Sequence, residues 1–107
     1  MVEEISADAV RRKVEAGEDV QIIDVRPARE FRAGHIPGAE NIPFPEFVQR
    51  VADHEWRDEV VFVCPHGESS RQAGRLLESY EGIDADETRV ANMTDGYEAW
   101  TGEVVEE

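Results

Sequence analysis

Lysine and cysteine are nearly absent from this 107-residue sequence: Lys13 is the one lysine, against ten arginines, and Cys64 is the one cysteine. A single thiol excludes an intrachain disulfide. The three histidines, His35, His54 and His66, join it in no Cys-x-x-Cys or His-Glu-x-x-His spacing, which excludes a recognisable structural zinc site. Long apolar runs are missing too; none approaches the ~20 residues of a membrane span. The start, Met1-Val2-Glu3-Glu4, is acidic where a secretory leader is basic, so a cytoplasmic protein is expected. No basic patch is available to neutralise phosphates, which argues against nucleic acid and anionic membranes as partners. Low-complexity stretches, linkers and internal repeats are also wanting. The length suits one domain over residues 1–107, with a core over about 3–102.

Negative charge is what the sequence has in excess. Seventeen glutamates and eight aspartates against eleven basic residues give a formal net charge of −14. The acids stand singly or in pairs, with no block that would mark an acidic tail. Acidic side chains keep a protein soluble by self-repulsion, and salt screens that repulsion. Together with the lysine depletion, this is the balance expected of a halophilic protein in a high-salt cytoplasm.

Short β-branched runs alternate with amphipathic segments, the pattern of βα units on a parallel sheet. Val20-Gln21-Ile22-Ile23-Asp24-Val25 and Val60-Val61-Phe62-Val63 read as buried strands, the second apolar throughout. Weaker strand signals cover residues 3–5, 39–42 and 88–91. Ser6 is placed to cap a helix with Val10 and Val14 on one face. Pro27 suits the first turn of a short helix over 28–32. Phe44, Phe47, Val48 and Val51 repeat at helical spacing, as do Ala73, Leu76, Leu77 and Tyr80, with Gly82 placed to stop the latter helix. The resulting order, β-α five times over, is a single α/β domain.

Cys64 directly follows the most apolar strand and precedes a helix expected to start near Ser70. It therefore stands at the carboxyl end of a central strand, where open α/β sheets place ligand sites. Between strand and helix runs Cys64-Pro65-His66-Gly67-Glu68-Ser69, with Gly67 free to take positive φ. Such a loop can curl its backbone N–H groups around the sulfur, and the N-terminus of the next helix adds positive potential. Both favour thiolate over thiol, making Cys64 a nucleophile.

These residues, with others in order along the chain, resemble the rhodanese family of sulfurtransferases. Asp24-Val25-Arg26, Glu30-Phe31, Gly34-His35-Ile36-Pro37-Gly38-Ala39 and Asn41-Ile42-Pro43 are similar to the family's amino-terminal signature. Cys64-Pro65-His66-Gly67-Glu68-Ser69-Ser70 resembles its active-site loop, and Gly96 with Ala99-Trp100 its carboxyl-terminal motif. The resemblance implies a rhodanese-like α/β domain, a five-stranded parallel sheet flanked by helices. It also implies that Cys64 carries sulfur as a persulfide, from a donor such as thiosulfate to a thiophilic acceptor, cyanide or a thiol on a small molecule or protein. No metal or organic cofactor is implied.

The family's usual pattern is departed from at Glu68 and Asp95. Ser69 is the neutral choice where an arginine or serine is common. Glu68 stands where a small or amide residue is commoner, and it would weaken binding of an anionic donor unless Arg71 or Arg75 offsets it. Asp95 precedes Gly96 where a glycine pair is usual, a swap that Asp's tolerance of left-handed backbone would absorb. Phosphatases with a Cys-x5-Arg loop are disfavoured, because the residue six after Cys64 is Ser70 and Arg71 comes one position late.

The surrounding roles have alternatives. Arg26 either lends positive potential to the pocket or pairs with Glu30. Ser70 either donates to the sulfur, as Ser69 could, or caps the helix. His66 either orients substrate or fills the loop. His35 is expected to bond backbone or Asp24, and His54 to lie on the surface. Tyr97 and Trp100 are expected to be core or pocket-wall aromatics. A sulfur-relay module fed by a partner protein is the second functional reading.

Overall fold

A computed structural model describes residues 2–84 and 86–107. Five strands, β1 (Glu3–Ile5), β2 (Gln21–Asp24), β3 (Glu40–Asn41), β4 (Glu59–Val63) and β5 (Arg89–Met93), form one sheet in the order β1-β5-β4-β2-β3, parallel throughout. The short runs expected to be strands all pair, with ends shifted by one or two residues. β4 is central, and its alternation sets the two layers. Val60, Phe62 and Cys64 face one side, with Val25, Phe47, Ala73, Leu77 and Val90. Val61 and Val63 face the other, with Val10, Ile22, Ile36 and Met93. A strand buried on both faces has no polar side to show, which is why β4 reads as an unbroken apolar run.

Among the described residues, four α-helices cover the sheet: α1 (Ala7–Glu15), α2 (Ala28–Ala33), α3 (Phe47–Arg50) and α4 (Glu68–Glu78). Ser6 caps α1 as expected, its hydroxyl accepting from the Ala9 N–H at 3.1 Å. The segment expected as one helix over 44–51 is instead a 3-10 turn (Phe44–Glu46), the single-turn α3, and a second 3-10 turn (Val51–Asp53). Pro45 sits in the first of these turns, and the tighter 3-10 winding rotates successive side chains off a 3.6-residue face. Phe47 is consequently buried, while Val48 is 67% exposed. α4 begins at Glu68, two residues earlier than expected, and ends before Gly82 with Ser79 as its cap. Leu76 lies at its exposed edge. The last expected helix is only a 3-10 turn, Tyr97–Ala99.

The strand order decides where a ligand can enter. From β2 the chain goes outward to β3, whereas from β4 it goes the opposite way to β5. The carboxyl ends of β2 and β4 thus flank the topological switch point, where connections leave in opposite directions and open a crevice. Asp24 pairs in register with Val63 there, so Arg26 and Cys64 emerge at the same end of the sheet.

Candidate active site

Cys64 leaves β4 into a loop that bends back over its own side chain. The residue is 2% exposed and lies on the α4 side of the sheet. The Gly67 N–H donates to Cys64 Sγ at 3.0 Å, and Ser70 Oγ lies 3.2 Å from it. The N–H groups of His66 and Ser70 add positive potential at the sulfur. Burial pushes the thiol pKa up, but the Ser70 hydroxyl and these three N–H groups together outweigh it, so Cys64 ionises below the ordinary thiol value. This is a nest of donors around a prospective anion.

The loop can bend this far because of Gly67, which has φ +89°. A Cβ there would come within 2.4 Å of the Thr94 carbonyl oxygen, so the backbone leaving β5 reserves the space. Gly96 closes the loop from the other side, at φ +78°, where a Cβ would lie 2.1 Å from the Pro65 carbonyl oxygen. Beyond it the Tyr97 N–H donates to the Cys64 carbonyl at 2.8 Å and the Glu98 N–H to the Pro65 carbonyl at 3.3 Å. The carboxyl-terminal motif therefore clamps the first two loop residues, freeing their neighbours' N–H groups to face the sulfur. Asp95 needs no left-handed backbone: among the described residues only glycines have positive φ, and the Asp95 carboxylate instead accepts from the Ala7 N–H at 3.4 Å.

A polar chain runs from the sulfur to the far edge of the sheet. Ser70, fully buried, donates its hydroxyl to Asn92 Oδ1. Asn92, on β5 and also fully buried, donates from Nδ2 to the Gly67 carbonyl at 3.1 Å and to Glu4 Oε1 at 3.0 Å. Because a carboxylate and a carbonyl only accept, they fix the Asn92 amide with its nitrogen toward Glu4 and its oxygen toward Ser70. Glu4, from β1, also accepts from Thr94 Oγ1 at 2.8 Å and from both Arg71 Nε (3.2 Å) and Nη2 (3.0 Å). The Arg71 guanidinium, offset by burial and aided by Thr94 and Asn92, lowers the Glu4 carboxyl to about 2. Ser70 is thus no helix cap; Gly67 occupies that position.

The other expected site residues disperse. Pro65 is half-buried, and His66 and Glu68 are exposed, with His66 Nδ1 3.3 Å from a Glu98 carboxylate oxygen. Ser69 is half-buried. Arg26 does reach the crevice end of the sheet, but it pairs with Asp24 rather than with Glu30. Its Nε and Nη2 bond the Asp24 carboxylate at 2.7–3.0 Å, Nη2 also donates to the Gly34 carbonyl at 2.7 Å, and the guanidinium stacks 3.8 Å over Tyr97. His35 is tied to backbone, Nδ1 to the Phe31 carbonyl at 2.8 Å, with its ring stacked on Phe31. His54 is not a surface residue: it is half-buried against Trp56, with Nε2 3.2 Å from Glu40. Arg75 lines a groove with Gln72, Leu76 and Ser79, a turn along α4 from Arg71.

Glu4, Asn92 and Thr94 were not singled out by the sequence. Asn92 had a signal, as a polar residue inside the run Val90-Ala91-Asn92-Met93 that otherwise reads as a core strand. Glu4 had none, because only strand pairing brings the chain's start beside α4.

The family model described as Rhodanese-like domain matches residues 6–103. The thiosulfate sulfurtransferase GlpE of Pseudoalteromonas translucida is 32% identical over 83 residues, 78% of this chain and 74% of that protein. YrkF of Bacillus subtilis, named provisionally as a sulfur carrier protein, is 34% identical over 101 residues, but this chain spans only 52% of its length. A transcriptional regulator of Mycobacterium tuberculosis, Rv0324, is 48% identical over 58 residues, 54% of this chain and 25% of that protein. Among solved structures, a rhodanese-like domain protein from Staphylococcus aureus superposes with a TM-score of 0.81 at 26% identity, covering 99% of both chains.

Proposed function

This chain belongs to the Rhodanese-like domain family, and from that premise we propose that it transfers sulfane sulfur through a persulfide on Cys64. The observation that carries the reading is the loop around one buried sulfur: the Gly67 N–H donates to it at 3.0 Å, the Ser70 hydroxyl lies 3.2 Å away, and the His66 and Ser70 N–H groups add to the potential that favours the anion. The Cys64 thiolate attacks the outer sulfur of a donor such as thiosulfate. The sulfur–sulfur bond of the donor breaks, its electron pair leaves with sulfite, and Cys64 holds a persulfide anion. A thiophilic acceptor, cyanide or a thiol, then takes the outer sulfur and returns the electron pair to Cys64. Negative charge stays near the nest in both half-reactions, so preorganised donors there stabilise every intermediate without rearranging.

A sulfur-relay role, with the persulfide handed on from a partner protein, is the second reading. It is favoured by the engagement of Arg26 and Arg71 with carboxylates, which leaves neither guanidinium turned to a small anion. Loading the purified protein with thiosulfate, and separately with a persulfidated carrier protein, distinguishes the two. A gain of one sulfur on intact protein, absent in Cys64→Ser, supports persulfide chemistry. Catalytic thiocyanate formation supports the enzyme, and loading without turnover supports the relay. No sulfur on Cys64 from any donor overturns both. The acidic surface suits a high-salt medium, so these assays belong in molar KCl as well as in dilute buffer.

A further inference from the structure

Arg71 is placed where an anion-binding residue of this loop would be useful, yet its guanidinium is turned away. It follows Ser70 directly in the first turn of α4, close enough for its charge to be felt by Cys64 and Glu68. Both of its bonding nitrogens are spent on Glu4. An ordinary exposed ion pair of this kind is weak, worth about 0–1 kcal/mol, and a doubly charged ligand would break it easily. This pair is better built than most. The Glu4 carboxylate accepts four hydrogen bonds, from Arg71 twice, from Asn92 and from Thr94, so its position is fixed before the arginine arrives. Arg26 is withdrawn in the same manner by Asp24 and Gly34, and the groups left exposed around the loop include Glu68 and Glu98.

We infer that Glu4 is a specificity-determining residue: by holding the Arg71 guanidinium against β1 it keeps that cation from the mouth of the Cys64 loop and selects against dianionic sulfur donors. The inference rests on the persulfide chemistry proposed above and sets the class of donor for it, sulfane sulfur carrying one negative charge or none at the reacting end. Glu4 touches neither substrate nor sulfur. It acts through Arg71, and it leaves the donor nest intact because Asn92 still bonds the Gly67 carbonyl without it. With thiosulfate the step is thiolate plus dianion giving persulfide anion plus sulfite dianion. With an arylthiosulfonate the same thiolate attacks a monoanion and a sulfinate leaves. The two donors deliver the same sulfur to the same atom and differ in charge.

The test is steady-state sulfur transfer to cyanide from each donor, with wild type, Glu4→Gln, and Glu4→Gln combined with Arg71→Gln. Released from its carboxylate, Arg71 should lower KM for thiosulfate roughly five- to tenfold, the size of one charge-assisted contact at a partly exposed site. The monoanion's KM should fall by less than half as much, and the gain should vanish in the double variant. A thiosulfate KM unchanged or raised in Glu4→Gln, an equal fall for both donors, or a fall that persists without Arg71 overturns the inference. Should Glu4→Gln melt too low to assay, Thr94→Val removes just one of the four bonds to the carboxylate and gives the same test at smaller amplitude. If no donor loads Cys64 in the wild type, the proposed function falls and the inference with it. If sulfur loads but KM does not respond, only the inference falls.

Discussion

Replacing Ser70 with alanine should raise the pKa of Cys64, and the structure explains why the rise is limited. A hydrogen bond to a charged partner contributes about 1.5–3 kcal/mol, and 1.36 kcal/mol corresponds to one pKa unit. Taken alone, the Ser70 hydroxyl would favour the thiolate by an energy of that size. Its single proton is contested, however. In the resting structure it goes to Asn92 Oδ1, so donating to the thiolate means giving up that bond, a loss of about 1 kcal/mol. The backbone N–H groups remain in the variant and keep part of the downward shift. The assay is the pH profile of iodoacetamide alkylation, followed by intact mass, and Cys64 being the one cysteine makes it free of background. The profile should move to higher pH. At neutral pH the rate should fall only about threefold per unit, because a more basic thiolate is also more nucleophilic, with a Brønsted slope of about 0.4–0.5. The plateau at high pH should accordingly rise. A profile that coincides with wild type, or moves to lower pH, in a protein with native circular dichroism would refute the assignment of Ser70 as a donor to the sulfur.

Four further outcomes are expected. Gly67→Ala should cost at least ~1–2 kcal/mol in denaturant melts and slow alkylation of Cys64, because φ +89° and the Thr94 carbonyl at 2.4 Å leave no place for a methyl group. Arg26→Ala should cost about 3–5 kcal/mol in the same melts, since it strands Asp24 as a buried, unpaired carboxylate; a loss under 1 kcal/mol, measured against the ~5–15 kcal/mol of a typical domain, would contradict that. Glu4 is held at about 2 when folded, below its unfolded value, so its contribution to stability is full above the usual carboxylate range and is lost as pH falls toward 2. Glu4→Gln should therefore flatten the acid limb of a pH–stability curve; an unchanged limb would show that Glu4 is not ionised through those bonds. Finally, the melting temperature should rise with KCl, because a net charge of −14 repels itself and salt shortens the range of that repulsion to about 3 Å at 1 M; a melt independent of salt would remove the halophilic reading.

The legible parts of this protein were those whose cause is local. β4 could be read because burial on both faces demands an apolar run, and Ser6 could be read as a cap because the group it satisfies lies three residues away. The donors around Cys64 were legible for a similar reason: a cysteine between that strand and a helix, with a glycine three residues on, brings the sulfur and its donors together within one short segment. Legibility failed where the winding changed. The 44–51 segment has helical spacing in its apolar residues, but a proline and two 3-10 turns break the period, and Val48 is left in solvent.

The sequence by itself determined the fold class, the position of Cys64 at a strand's end, and the glycine, Gly67, that lets the loop bend. Those follow from periodicity and from the backbone freedom of single residues. Tertiary structure decided what surrounds the sulfur's donors and what each charge is doing. Along the chain Arg26 reads as either a pocket cation or a partner of Glu30, and Arg71 as an offset to Glu68; only the tertiary structure shows Asp24 and Glu4 holding them. Glu4 lies 67 residues from Arg71 and 88 from Asn92, and β1 meets β5 through a strand order that no local pattern encodes. Electrostatic interactions fall off with distance in space, not in sequence, so the charge count was visible from the start and the pairing that gives it meaning was not.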